Sequence, residues 1–403
     1  MPGKYYTNFI DENGYDLGSQ EVGFIEKEYL IENYPQLVDW RMTPSLWLWG
    51  RNDDGGLGDN SRTDRSSPVQ TIAYGTNWKK ISAGRRHSMG VKSDGTLWAW
   101  GANGNGQLGD NSITNKSSPV QTVSAGTTWK LVSSGYNHSA AIKTDNSLWL
   151  WGEATLGKLG NNSTTNRSSP VQTISTGTNW RSVSCGFGDH TGAIKTDNTL
   201  WLWGRNTNGQ LGDNSITHRS SPVQTVSAGT NWKMIALGRQ YSAAIKTDGT
   251  LWTWGENSYG QLGDNSTTNR SSPVQTVAGG TWIDVNCGRG HTIAIKTDGT
   301  LWAWGLNTNG QLGDNSITHR SSPVQIISSG NNWKYVSAGG YHSSAIKTDG
   351  TLWTWGRNNK GQLGTNDITH RSSPVQTIAG GSTWKVFGMG DECSSAIYEG
   401  EDF

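Results

Sequence analysis

The pentad Leu-Trp-x-Trp-Gly occurs seven times, starting at Leu46, Leu97, Leu148, Leu200, Leu251, Leu301 and Leu352, with 50 to 52 residues between successive starts. A fixed period near fifty residues marks a chain built from one supersecondary unit that cannot bury its apolar face alone and must stack on its neighbours. Each unit offers four strand-like runs. In the copy around residue 250 these are Trp232–Ala236, Tyr241–Lys246, Leu251–Trp254 and Pro273–Thr276, alternating or β-rich and bounded by Gly, Asp, Asn or Ser. Thr247-Asp248-Gly249-Thr250 reads as a hairpin turn, because Asp-Gly supplies the positive φ that a tight turn needs. Four short strands per unit predict an antiparallel meander, and seven units predict an all-β, seven-bladed β-propeller, whose closure leaves no long sheet edge open.

A second half-unit, Trp-Lys-x-x-Ser-x-Gly followed by His-Ser-x-Ala-Ile-Lys, also occurs seven times in variant form, from Trp78 to Trp384, but out of phase with the pentads. The last copy has no pentad after it and the first pentad has no half-unit before it. One blade is therefore expected to combine Trp384–Ile397 with Leu46–Trp49 and Pro68–Thr71, which would latch the ring without a covalent bond. The expected domains are residues 1–45 as a separate segment and 46–403 as the propeller.

This scaffold accounts for most of the composition. Of 22 Trp, 14 lie in pentads and seven open half-units, leaving only Trp40 outside. The two pentad Trp should share one strand face and fill the seams between blades, each burying roughly 150–250 Å² or about 4–6 kcal/mol gross. Seven of the ten Pro form one column, Pro68 to Pro374, expected at the start of an outer edge strand where a missing N–H does no harm.

Net charge of +1 argues against a nucleic-acid surface, no apolar run is long enough to insert in a membrane, and the amino terminus lacks the apolar core of a secretory signal. Cys185, Cys287 and Cys393 fit neither a disulfide framework nor metal spacing and read as buried, inert thiols. His87, His138, His190, His291 and His342 form a column, with Tyr241 and Cys393 in the other two blades. They read as turn-binding residues rather than metal ligands. His218, His319 and His370 read as solvated loop residues. Asp59, Asp110, Asp213, Asp264 and Asp314 are expected to cap their loops or pair six residues on, as Asp213 with Arg219. No asymmetric acid, base or nucleophile set is visible, so the chain reads as non-enzymatic, without cofactor or metal.

The pattern from Gly84 to Val120, Gly-x-x-His-Ser then Asp-Gly-Thr-Leu-Trp then Trp-Gly-x-Asn-x-x-Gly-Gln-Leu-Gly-Asp-Asn, resembles the repeat of the regulator of chromosome condensation family. That resemblance covers about residues 46–398 and implies a seven-bladed propeller. It names no single partner, since members include an exchange factor for a nuclear GTPase, appendages of ubiquitin ligases and kinases, and secreted propellers that inhibit β-lactamases.

Variation among the copies is concentrated in two kinds of connection, first-to-second strand and third-to-fourth, which a meander places at one end of the blade. The first kind carries Arg85, Arg86, Tyr136, Asn137, Phe187, Asp189, Arg239, Gln240, Arg289, Tyr341, Asp391 and Glu392. The second carries Arg51, Glu153, Tyr259 and Lys360. Variation confined to one face of a uniform ring is the expected look of a binding surface on a scaffold. The partner read for it is a protein ligand or host surface; a glycan-binding alternative would need exposed rings among Tyr136, Phe187, Tyr241, Tyr259 and Tyr341.

Residues 1–45 hold eight acidic and three basic residues, net −5, leaving +6 on the ring. Glu26–Asn33 predicts a short helix ending before Pro35, with Phe24, Tyr29, Leu30 and Ile31 as an anchoring strip. The stretch DLGSQEVGFIEKEYLIENYPQLVDW is similar to the N-terminal extension of phage-encoded propellers of the same family. It implies docking to other virion proteins and a structural or adhesive role in a phage particle. The alternative is a cytoplasmic regulator of a GTPase or another protein.

Overall fold

Each Asp-Gly or Asp-Asn turn closes a hairpin in the computed structural model. The Asp94 carboxylate accepts hydrogen bonds from the Thr96 backbone N–H and hydroxyl, and the same pair of bonds recurs at Asp145, Asp197, Asp248, Asp298 and Asp349. The structure describes residues 6–10, 16–21, 45–72, 77–123, 128–174, 177–226, 229–326, 330–378 and 383–398. Among them stand seven antiparallel four-stranded sheets, each in the order first, second, third, fourth strand. Blades 1 to 6 open at Trp78, Trp129, Trp180, Trp232, Trp282 and Trp333; blade 7 opens at Trp384.

Blade 7 is the expected composite. Its first two strands are Trp384–Met389 and Cys393–Tyr398, and its last two are Ser45–Gly50 and Arg65–Gln70. Leu46 pairs with Ile397 across that junction, in a ladder running from Ser45 to Gly50. The first strands of successive blades lie against one another and line a central cavity of about 190 Å³, with Ser82, Ser133, Ser184, Asn286 and Ser337 among its walls. The fourth strands are therefore outermost.

Two expectations about the repeat need correction. The fourth strand starts at the basic residue three places before the proline, as in Arg270–Gln275, so the proline lies inside it. Thr253 pairs with Val274 and Gly255 with Arg270, so Ser271 to Pro273 stand against the single Trp254. Proline is accommodated because this bulge interrupts the ladder where its missing N–H would have been needed.

The two pentad Trp also differ. The second one, Trp49 and its six equivalents, is at most 1% exposed and packs edge-on against the half-unit Trp, as Trp151 on Trp129 at 6.2 Å. The first one, Trp47 and its equivalents, is only half-buried. In blade 2, Trp149 hydrogen-bonds the Ser147 hydroxyl, and the Lys143 ammonium lies 4.5 Å from its ring centre. Residues of like face in a strand share direction but not depth, because only the second Trp reaches the neighbouring blade. It does so where Gly109 adopts φ +70° and leaves no room for a side chain: a Cβ there would sit 2.7 Å from the Trp151 indole nitrogen.

Ahead of the ring, Tyr6–Ile10 pairs antiparallel with Asp16–Glu21, a hairpin not foreseen from the sequence. The expected helix at 26–33 and the anchoring residues Phe24, Tyr29, Leu30 and Ile31 lie outside the described residues. No helix among the described residues is long and apolar enough to cross a membrane.

Candidate functional site

The loops after the first and third strands meet at one end of the ring. The Arg51 backbone N–H donates to the Glu392 carbonyl, and Glu153 and Arg205 make the equivalent bonds to Asn137 and Asp189. Third-to-fourth loops also touch the next blade's first-to-second loop: Arg86 pairs with Asp54 at 3.3 Å, and Gln240 hydrogen-bonds Asn208.

Beneath these loops the histidine column builds the seams. His87 is fully buried and its Nε2 lies 3.0 Å from the Ser139 hydroxyl of blade 2. Ser139 donates its single hydrogen to the Gln107 carbonyl at 2.7 Å, and that carbonyl also accepts the Trp151 indole N–H. Nε2 must therefore carry the imidazole proton, and Nδ1 is left bare, without a partner. His138 with Thr191, His190 with Ser242, His291 with Ser343 and His342 with Ser394 repeat the arrangement. The partner is thus a hydroxyl of the adjacent blade, where turn backbone was expected. Burial pushes His87 and His190 down to about 4 and His291 and His342 down to about 3, so all are neutral near pH 7. Burial, with Lys158 adding to it, holds His138 well below its ordinary value too. Tyr241 is also fully buried and reaches the His291 carbonyl, which removes it from the rings a glycan could stack on. Among the described residues no group of three or more His, Cys, Asp or Glu is arranged to hold a metal ion.

His218, His319 and His370 are not simply solvated. Their Nδ1 atoms accept the backbone N–H of Asn206, Asn307 and Asn358 at 2.9–3.0 Å and so clamp the outer loop. Asp213 caps Ser215 and pairs with Arg219 at 3.0 Å as expected, and Asp59, Asp264 and Asp314 pair with Arg65, Arg270 and Arg320. All three cysteines are free and buried, and burial pushes each thiol up to about 12, so none is a thiolate at neutral pH.

The variable residues fall into two charged groups. Around blades 7 and 1, Asp391 is buried and accepts Arg289 at 2.7 Å, with Arg85 at 3.9 Å; Glu392 takes Arg51 at 2.7 Å and Arg357 at 3.2 Å. Burial raises the Asp391 carboxyl above its ordinary range, with Arg289 and Arg85 opposing that rise. Arg85 lies 4.2 Å over the Tyr136 ring, and Arg289 and Arg357 flank Tyr341 at 5.4 and 5.5 Å. Lys360 pairs with Asp64 at 2.9 Å.

The second group centres on Lys158, which sequence reasoning did not single out. It is fully buried and its ammonium lies 2.9 Å from Glu153 and 2.6 Å from Asp189 of blade 3. Asn137 donates to Glu153 at 3.1 Å. Burial alone would raise the Glu153 carboxyl, but Lys158 and its hydrogen bonds hold it below the usual range. The signal was present: Gly-Lys-Leu-Gly at 157–160 replaces the Gly-Gln-Leu-Gly of five other copies. Phe187, in the one blade with an extra residue, is buried against the central cavity. Arg239 and Tyr259 stand exposed, Tyr259 edge-on to His319 at 5.3 Å.

The chain matches the model of the RCC1-like domain over residues 42–327 and 189–402. It is 33% identical over 235 residues to the ultraviolet-B receptor UVR8 of Arabidopsis thaliana, covering 57% of this chain and 53% of that protein. It is 27% identical over 346 residues to the mitochondrial RCC1 domain-containing protein RUG3 of the same plant, covering 82% of this chain and 66% of that one. The match thus spans less than two thirds of either relative. In fold, Prp20p of Saccharomyces cerevisiae, in a structure titled for its binding to Gsp1p and histones, superposes with a TM-score of 0.80 at 18% identity, covering 92% of this chain and 95% of that one. Human WBSCR16 superposes with a TM-score of 0.79 at 19% identity, covering 88% and 99%.

Proposed function

The chain belongs to the RCC1-like domain family, and from that premise we propose that it is a non-enzymatic interaction propeller that binds a protein partner through the loop end of its ring. One observation carries the reading. The side chains that vary between copies converge at one end and most are held in place by contacts between blades, while the Asp-Gly and Asp-Asn turns at the other end repeat the same two bonds. A pre-organised face loses little side-chain entropy on binding, which favours tight recognition.

The proposal is a regulator or adaptor. Prp20p is known for binding Gsp1p and histones, and UVR8 is an ultraviolet-B receptor. The virion role read from residues 1–45 draws no support from the relatives named above. Those residues are proposed as a second contact, through their acidic and aromatic side chains.

Affinity capture from the native source tests the face. Replacing Arg239, Tyr259 and Tyr341 together by Ser should abolish retention of the partner while circular dichroism stays unchanged, because Arg239 and Tyr259 are exposed and Tyr341 is a half-buried rim residue outside the seams. If the partner stays on that variant and is lost instead when Asp94 and Asp298 of the opposite turns are changed, the binding end is the other one.

A further inference from the structure

The ring departs from its own pattern twice at one place. At the position six residues after the pentad, five copies carry Gln and one carries Lys158, but blade 7 carries Gly56. In the column filled by His or Tyr in six blades, blade 7 carries Cys393. Both truncations face the same seam, between blades 7 and 1, and leave a hollow of about 10 Å³ lined by Gly56 and Cys393 below and by Arg51, Arg85, Arg86, Asp53 and Asp54 around the mouth. That volume holds about one water-sized oxygen.

Its charges are not balanced. Arg51 is paired with both Asp53 and Glu392, and Arg86 with Asp54. Arg85 has no carboxylate of its own: its nearest, Asp391, is 3.9 Å away and engaged by Arg289 at 2.7 Å. The Nε–H groups of Arg85 and Arg86 are buried without an acceptor, a costly state that an incoming oxygen would relieve. Stacking on Tyr136 holds the Arg85 guanidinium in place, so little order is lost when it binds.

We infer that this hollow receives one carboxylate from an acidic segment of a protein partner, with one oxygen entering over Gly56 and Cys393 and the Arg85 and Arg86 guanidiniums donating to it. With the groups they pair with counted in, the five guanidiniums of Arg51, Arg85, Arg86, Arg289 and Arg357 stand against the four carboxylates of Asp53, Asp54, Asp391 and Glu392, leaving one positive charge, which a carboxylate neutralises and a phosphate dianion would overshoot. The inference rests on the protein-binding reading of the loop end and names the chemistry that reading lacked.

Isothermal titration of the full chain with a hexaglutamate peptide at low salt, with inorganic phosphate as the second titrant, tests it. The peptide should bind, Arg85→Gln should weaken it about tenfold or more, and the double change Gly56→Gln with Cys393→His should abolish it. That double variant uses the ring's own residues. A Cβ at Gly56 would lie 3.4 Å from the Arg86 carbonyl oxygen, an ordinary contact, so the variant should melt no lower than the parent chain. The inference is overturned if the peptide does not bind, if binding ignores both variants, or if phosphate binds as tightly with the same dependence. Loss of the partner on the Arg239, Tyr259 and Tyr341 variant, with no effect of filling the hollow, would leave the interaction face standing and remove only this site.

Discussion

The six seams from blade 1 round to blade 7 and the one that closes the ring solve the same packing problem with different chemistry. Five of the six use a buried neutral imidazole against a hydroxyl of the next blade, and the sixth uses the Tyr241 phenol. The closing seam keeps the hydroxyl and indole bonds to a shared carbonyl, from Ser88 and Trp100 to Gly56. It replaces the imidazole with the short Cys393, and at the rim it uses a charged form of the bridges that Asn208 makes to Gln240 and Asn269 at another seam, with Asp54 taking Arg86 and, at 2.9 Å, Asn115. Closure therefore depends less on this seam than on the ladder inside blade 7, where the two chain ends pair over six residues. The interior bond can be given up where the rim and the ladder compensate, and a hollow is what remains.

Removing the ladder should have the largest effect. A chain ending before residue 384 loses two strands of blade 7 and leaves Trp49 without the Trp384 ring 6.5 Å away. Its melting midpoint should fall by about 5 °C or more. A truncation that melts cooperatively within a degree or two of the full chain would break the comparison, because the ring would then not need its latch.

Acid should come next, acting on the five histidine seams and sparing the Tyr241 seam and the closing one. A histidine whose folded-state value lies below its unfolded value near 6.5 binds its proton first in the unfolded chain. The stability it gives is therefore full above about pH 6.5 and is lost as pH falls toward 4 or 3. By pH 5 each of the five should have forfeited on the order of 1–2 kcal/mol. Asp284, pushed up to about 6 by burial, works the other way, losing stability as pH rises from 3.8 through 6, and Asp391, also raised by burial, acts in the same sense, but they are two groups against five. Urea midpoints at pH 7.5 and 5 should differ strongly; equal midpoints would mean that the imidazoles are not sealed in.

Within one seam, the two pentad Trp should separate. Trp151→Ala should cost about 3–5 kcal/mol and Trp149→Ala about 1, since only the Trp151 ring is fully enclosed. Equal losses in chemical denaturation would return both to the seam. The smallest effect is a gain: Cys393→His alone should stabilise the ring by about 1 kcal/mol by giving Ser88 the imidazole every equivalent hydroxyl but Thr292 has. A destabilised variant would show that the closing seam is shaped for the thiol.

The chain by itself determined the number of blades, the four strands of each, the tight Asp-Gly turns and the composite seventh blade. It could do so because the copies align with one another and strand periodicity is a local property. It also placed the variable loops at one end, since meander connectivity allows nothing else. Only the tertiary structure decided which pentad Trp reaches a neighbour, that proline falls in a bulge, that each imidazole meets a hydroxyl 52 or 53 residues on, and that Lys158 joins Glu153 to Asp189 across two blades. Those outcomes depend on how one blade turns against the next. A strand's own sequence fixes which face a side chain takes but not how deep the adjoining sheet lies. For the same reason Gly56 and Cys393, 337 positions apart in the chain, reveal their shared hollow only when the ring is closed.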